Sequence, residues 1–144
     1  MKTYKFSVVL CAVLLLAAGC KDSDKEPVNP YVIPGNTPDP QWQVTVDNDM
    51  TTSMTVIADI PFAKSEGTLA AFIGDDCCGI AKFNDEIGLY WLYISPASNA
   101  NDNVQLKFYS PKLKRIFVSS LTFHNDEHLG SISAPYTPTW KVAN

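Results

Sequence analysis

The chain is poor in the residues from which most active sites are built. It has four cysteines and two histidines in 144 residues. No glycine-rich phosphate-cradling motif occurs, and no carboxylate pair, nucleophile–base pair or cluster of soft ligands stands out. A tetrahedral zinc site needs more soft ligands than the chain offers. Positive charge is scarce too: 11 Lys and Arg stand against 15 Asp and Glu, which argues against nucleic acid as a partner. Beyond the first twenty residues no window shows the three-four apolar repeat of a long helix. The longest apolar run, Val8 to Ala18, is too short to span a bilayer comfortably. Nothing here points to an enzyme, and no cofactor is implied.

That apolar run sits in an ordered context. Lys2 and Lys5 precede it, and the small residues Ala17, Ala18 and Gly19 lead into Cys20. A positive start, a short apolar stretch and small residues make an export signal over residues 1–19. The stretch Leu16-Ala17-Ala18-Gly19-Cys20 resembles the lipobox of bacterial lipoproteins. The resemblance implies that Cys20 carries lipid and anchors the chain to the membrane. Several acyl chains hold stably, at roughly 0.8 kcal/mol per buried methylene. Removal of Lys2 and Lys5 with the signal lowers Lys and Arg from 11 to 9 and moves the formal charge from −4 to −6.

Residues 20–40 are charged, then rich in proline (Pro27, Pro30, Pro34, Pro38, Pro40), and read as a tether that cannot bury enough apolar surface to order itself. The acidic start Lys21-Asp22-Ser23-Asp24 resembles the tag that sends Bacteroidetes lipoproteins to the outer face of the outer membrane. A linker facing the periplasm is the other reading.

From residue 41 to residue 144 the pattern has period two, the mark of strands. Trp42, Val44 and Val46 alternate with polar residues, as do Met54, Val56, Ala58 and Ile60. Leu69–Ile73 and Ile80–Phe83 flank a turn-rich stretch from Gly74 to Gly79, with Gly74, Asp75, Cys77 and Gly79 as its structural residues, hence a hairpin. Leu89–Ile94 is apolar on both faces, and Val104, Leu106 and Phe108 alternate again. Ile116–Val118, Leu121–Phe123 and Thr139–Val142 complete the set. Seven to nine short strands predict an all-β fold, an antiparallel β-sandwich that is immunoglobulin-like in the broad sense. With Cys11 in the signal and Cys20 lipidated, only Cys77 and Cys78 remain, so no cross-sheet disulfide staples it. The adjacent pair is open to two readings, two thiols or a strained vicinal disulfide.

The segments Leu69–Ala81, Leu89–Ile94 and Val104–Tyr109, with Gly130-Ser131 and Pro135-Tyr136 near the end, resemble a β-sandwich module of Bacteroidetes surface proteins. That module carries an Ala-Phe-(Val/Ile)-Gly-Asp-Glu-Cys-Arg-Gly stretch followed by a tyrosine-rich strand. Here Cys78 stands in place of its arginine. The module has no settled activity, so the resemblance implies fold and location rather than chemistry.

Binding is the better-supported expectation. If Tyr90, Leu92 and Ile94 face the core, Trp91 and Tyr93 face away from it. Inward Val104, Leu106 and Phe108 likewise leave Gln105, Lys107 and Tyr109 outward. Should the two strands pair, those five residues would form an aromatic platform with polar neighbours, suited to sugar rings or to a protein hot spot. The expectation is a non-enzymatic recognition module for extracellular glycan. The alternative is a structural or adhesion accessory docking on another surface protein. The basic run Lys107, Lys112, Lys114 and Arg115 is either a solvated hairpin rim or a face for an acidic glycan or partner. His124 and His128 read as loop residues, and Asp75-Asp76 as a turn, not a calcium loop.

Overall fold

A computed structural model describes residues 34–46, 51–64, 66–96 and 103–144. The signal, Cys20 and the tether up to residue 33 lie outside the described residues. Among those described there is no helix, and the elements are eight strands: β1 (Met54–Ala58), β2 (Thr68–Ile73), β3 (Asp76–Asn84), β4 (Leu89–Ile94), β5 (Asn103–Ser110), β6 (Arg115–Thr122), β7 (His128–Leu129) and β8 (Lys141–Val142). They form one curled sheet in the order β7-β1-β4-β3-β2-β5-β6-β8. All pairings are antiparallel except β1 with β7.

The hairpin at Gly74 is tighter than the sequence suggests. The turn is Gly74-Asp75 alone, and Asp76 already pairs with Ile73. Gly74 sits at φ 62°, the left-handed value that a two-residue hairpin asks of its first central residue. The next three residues carry the sheet's main irregularity. Phe72 pairs with Cys77 and Ala71 with Gly79, so Cys78 is the extra residue of a β-bulge. A bulge bends its strand and increases the local twist. It also sends Cys77 and Cys78 to opposite faces, Cys78 into the main core and Cys77 into a small cluster with Ala70 and Phe72. Both are thiols and both are buried.

The bend lets β3 serve two neighbours. One edge pairs with β2, and the other meets β4 through Phe83↔Tyr90, Asn84↔Leu89 and the Ser95 N–H donating to the Cys78 carbonyl at 3.0 Å. A Cβ on Gly79 would run into the Tyr93 carbonyl oxygen. Only glycine lets the two backbones come this close.

Curling turns one face of every strand inward. Val56, Leu69, Tyr90, Leu92, Leu106, Phe108 and Phe117 are buried there, as period-two alternation requires. Aromatic rings fill the centre: Tyr90 and Phe108 lie 5.5 Å apart, and Phe62 and Phe117 lie 4.7 Å apart. The Tyr90 hydroxyl lies 3.0 Å from the Ala63 carbonyl and 3.2 Å from that of Glu66. The C-terminal segment runs from β7, beside β1, to β8, beside β6, and so bridges the two ends of the sheet. Trp140 on it is buried against Phe108, 6.0 Å between centroids.

The N-terminal segment departs from the expected strand. Residues 41–45 form no strand. Instead the segment packs on the outer face of the sheet through Trp42, while its last residue, Val46, turns to the main core. The Gly35 N–H donates to Leu113 O, Thr37 N–H to Lys114 O, and Thr45 N–H to Cys77 O. Trp42 packs edge-on against Phe72, 5.8 Å between centroids. Part of the proline-rich stretch read as tether is therefore seated on the domain.

Gly79→Ala should destabilise the chain by about 2 kcal/mol or more, because backbone rather than a flexible side chain must move. Gly74→Ala meets no neighbour within 4 Å and should cost only the left-handed penalty of about 1 kcal/mol. Urea titrations of the two variants check the ranking.

Candidate functional site

The expected platform required β4 and β5 to be neighbours, and they are not. β1 occupies one edge of β4 (Met54↔Ile94 through Ala58↔Tyr90) and β3 the other. β5 pairs instead with β2 and β6. The five proposed residues do share the outer face, but in two groups with β3 and β2 between them.

Trp91 is 51% exposed, on a strand whose Leu89, Tyr90, Leu92 and Ile94 are buried. Ile57 of β1 lies opposite it. Continuing the Phe83↔Tyr90 register by one residue brings Lys82 of β3 to its other side. Lys82 in turn pairs with Thr68, and Thr68 with Tyr109. Trp91 and Tyr109 thus end one cross-strand row, roughly 14 Å apart at about 4.8 Å per strand spacing. Tyr93 is half-buried one step along, opposite Thr55.

The β5 residues have other engagements. Tyr109 is buried, with its hydroxyl donating to the Thr37 carbonyl at 3.2 Å. The N-terminal segment covers it. The Lys107 ammonium lies 4.1 Å from the centroid of the Phe72 ring, a cation–π contact. Gln105 is exposed and lines a different groove.

Sequence reasoning missed the part played by the N-terminal segment. Between it and the sheet runs a cleft of ≈ 330 Å³ lined by Asp39, Glu66, Thr68, Lys82, Phe83 and Tyr109. A smaller neighbouring cleft shares Asp39, Thr68 and Lys82 and adds Trp42 and Ile80. The Lys82 ammonium donates to the Thr68 hydroxyl. Alternation within Ile80–Phe83 already sets Lys82 on the face opposite Ala81 and Phe83, but only the pairing of β3 with β4 puts it beside Trp91; nothing local in the sequence tells Trp42 which surface to cover.

This face offers an exposed indole, a lysine, a carboxylate and hydroxyls along a shallow cleft. Such groups stack and hydrogen bond. Among the described residues no three His, Cys, Asp or Glu converge as metal ligands, and no helix is long and apolar enough to cross a membrane. Of the turn residues singled out in the sequence, Gly74 and Asp75 make the turn, while Cys77 and Gly79 belong to the bulged strand. No protein-family model, curated protein or solved structure matches the chain.

Burial pushes the Cys77 thiol above its ordinary 9.0, a rise that the Gly79 hydrogen bond and Lys107 only moderate. Burial, with Glu66 nearby, pushes Tyr90 above its ordinary 10.0. Folding therefore favours the protonated form of both. Their contribution to stability is whole below the ordinary values and falls as pH rises through and beyond them. Urea midpoints should decline above about pH 9, and less steeply in Cys77→Ala. A thiol reagent near neutral pH should label native Cys77 far more slowly than the urea-unfolded chain. Rapid native labelling would contradict the buried, protonated thiol.

Proposed function

We propose that this chain is a bacterial surface lipoprotein whose sheet recognises extracellular glycan through the outer face around Trp91, without catalysing a reaction. Lipidated Cys20 anchors it to the outer membrane, and the stretch from residue 21 to residue 33 spaces it from the bilayer. The acidic residues after Cys20 direct it to the cell surface. Its curled sheet is read as an immunoglobulin-like sandwich in the broad sense, the two halves sharing β3.

One observation carries the binding reading: Trp91 is half in water, in the interior of a sheet, on a strand whose other residues are buried or, at Tyr93, half-buried. An indole face with polar groups beside it suits the C–H face of a sugar ring, whose hydroxyls can reach Lys82 and the cleft carboxylate of Asp39. The other large exposed apolar side chains, Val44 at 47% and Ile132 at 56%, stand on separate segments. A protein-docking face would call for a contiguous apolar patch of a few hundred Å².

The test is a polysaccharide panel of plant, mucin and host glycosaminoglycan origin against the soluble chain from residue 21. A fragment starting at residue 41 would lose the Gly35 and Thr37 hydrogen bonds to the β5–β6 turn. Trp91→Ala should weaken binding at least about tenfold and leave stability within about 0.5 kcal/mol. No binding across the panel would sink the glycan reading and move the search to protein partners.

A further inference from the structure

A second surface, away from Trp91, is set apart by its charge and by its accessible polar side chains. β5, β6, β8 and the turn joining β5 to β6 carry Lys107, Lys112, Lys114, Arg115 and Lys141 and not one Asp or Glu. The acids Asp39 and Glu66 line the outer-face cleft with Tyr109 and Pro111, and neither lines the groove at β6 and β8. β5, β6 and β8 thus form the basic side of an acidic protein.

A groove of ≈ 520 Å³ opens on that side between β6 and the C-terminal segment, lined by Gln105, Val118, Ser119, Ser120, Tyr136, Thr139 and Lys141. It exists because β8 is short. β8 pairs with β6 only at Phe117 and Val118, so from Ser119 onward β6 has β5 on one edge and no strand on the other. The Ala143 N–H donates to the Ile116 carbonyl. Main-chain groups alternate between the two edges of a strand, so those of Ser120 face the groove. Gln105, Ser120 and Thr139 are exposed and Ser119 is half-buried, so their polar side chains are open to a ligand in the groove. Val118 is flanked by Lys107 on β5 and Lys141 on β8, and no carboxylate lines the groove.

We infer that this groove binds an anionic polysaccharide, a uronate or sulfate group facing Lys141 and sugar hydroxyls meeting the Ser, Thr and Gln side chains. A polyol replaces the water on those groups with its own donors and acceptors, and the lysine favours a negative charge that Asp39 and Glu66 in the outer-face cleft would repel. The concave shape favours a polymer chain over a lipid surface, since a bilayer cannot enter it. The groove lies at the β6–β8 end of the sheet, four strand spacings from the β4 that carries Trp91, and its binding does not depend on that residue.

Calorimetry of the soluble chain from residue 21 with polygalacturonate tests this, with Lys64→Gln as a charge-matched control at an exposed lysine that does not line the groove. Saturable binding that weakens as salt rises is expected. Lys141→Gln should weaken it about tenfold, the loss of one charge-assisted hydrogen bond. Lys64→Gln should change it by no more than about twofold. In a Trp91→Ala background, Lys141→Gln should weaken binding by the same factor, so failure of either surface is read separately. Equal effects of the two lysine variants, or no binding of polygalacturonate, would overturn the inference. So would Lys141-dependent binding to phosphatidylglycerol vesicles with none to the polymer, which would assign the basic side to a lipid surface.

Discussion

The structure depends on how closely β3 approaches β4. At Gly79 the two backbones come so near that a single added carbon would strike the Tyr93 carbonyl. That approach, with the bulge at Cys78, lets β3 hydrogen bond to β2 on one side and β4 on the other while the sheet bends between them. Without it, β1, β4 and β7 would have no continuous connection to β2, β5, β6 and β8. The aromatic core around Phe108 would then lose the concave surface that encloses it. The Cys-Cys-Gly stretch is in this sense architectural: one thiol fills each side of the strand, and the glycine fills nothing.

The curl gives the two faces different fates. The inner face is closed by Trp140 and the C-terminal segment. The outer face is only partly covered, by residues 34–46, which seal Tyr109 and Phe72 but leave Trp91 in water. The N-terminal segment thus defines the cleft beside Trp91. At the far side of the sheet, the shortness of β8 leaves the polar groove along β6. Both proposed binding surfaces arise where a terminal segment only partly covers the sheet.

Much of the fold was legible in the sequence because strands announce themselves through alternation. Met54–Ala58 and Val104–Phe108 point inward the residues that period two assigns there, and the apolar runs Leu69–Ile73 and Leu89–Ile94 form strands in the interior of the sheet. Strand order was not legible. Nothing local in Val104–Tyr109 says that it pairs with Leu69–Phe72 instead of Leu89–Ile94, since either partner satisfies the same alternation. The five proposed site residues consequently fell on one face, as expected, but not in one place. Trp42 misled for a related reason: an apolar, alternating segment at the edge of a domain can cover a sheet without joining it.

The most direct test of the account is an amide chemical-shift map of the isotope-labelled chain titrated with polysaccharide. The account predicts that the largest shifts fall on the outer face at Trp91, Tyr93 and Lys82, with a second group at Ser119, Ser120 and Lys141 for acidic polymers. The amides of the inner residues Leu69, Leu92 and Phe117 should stay in place. Shifts confined to β7 and the His124–Glu127 loop, or spread evenly over the core strands, would contradict it.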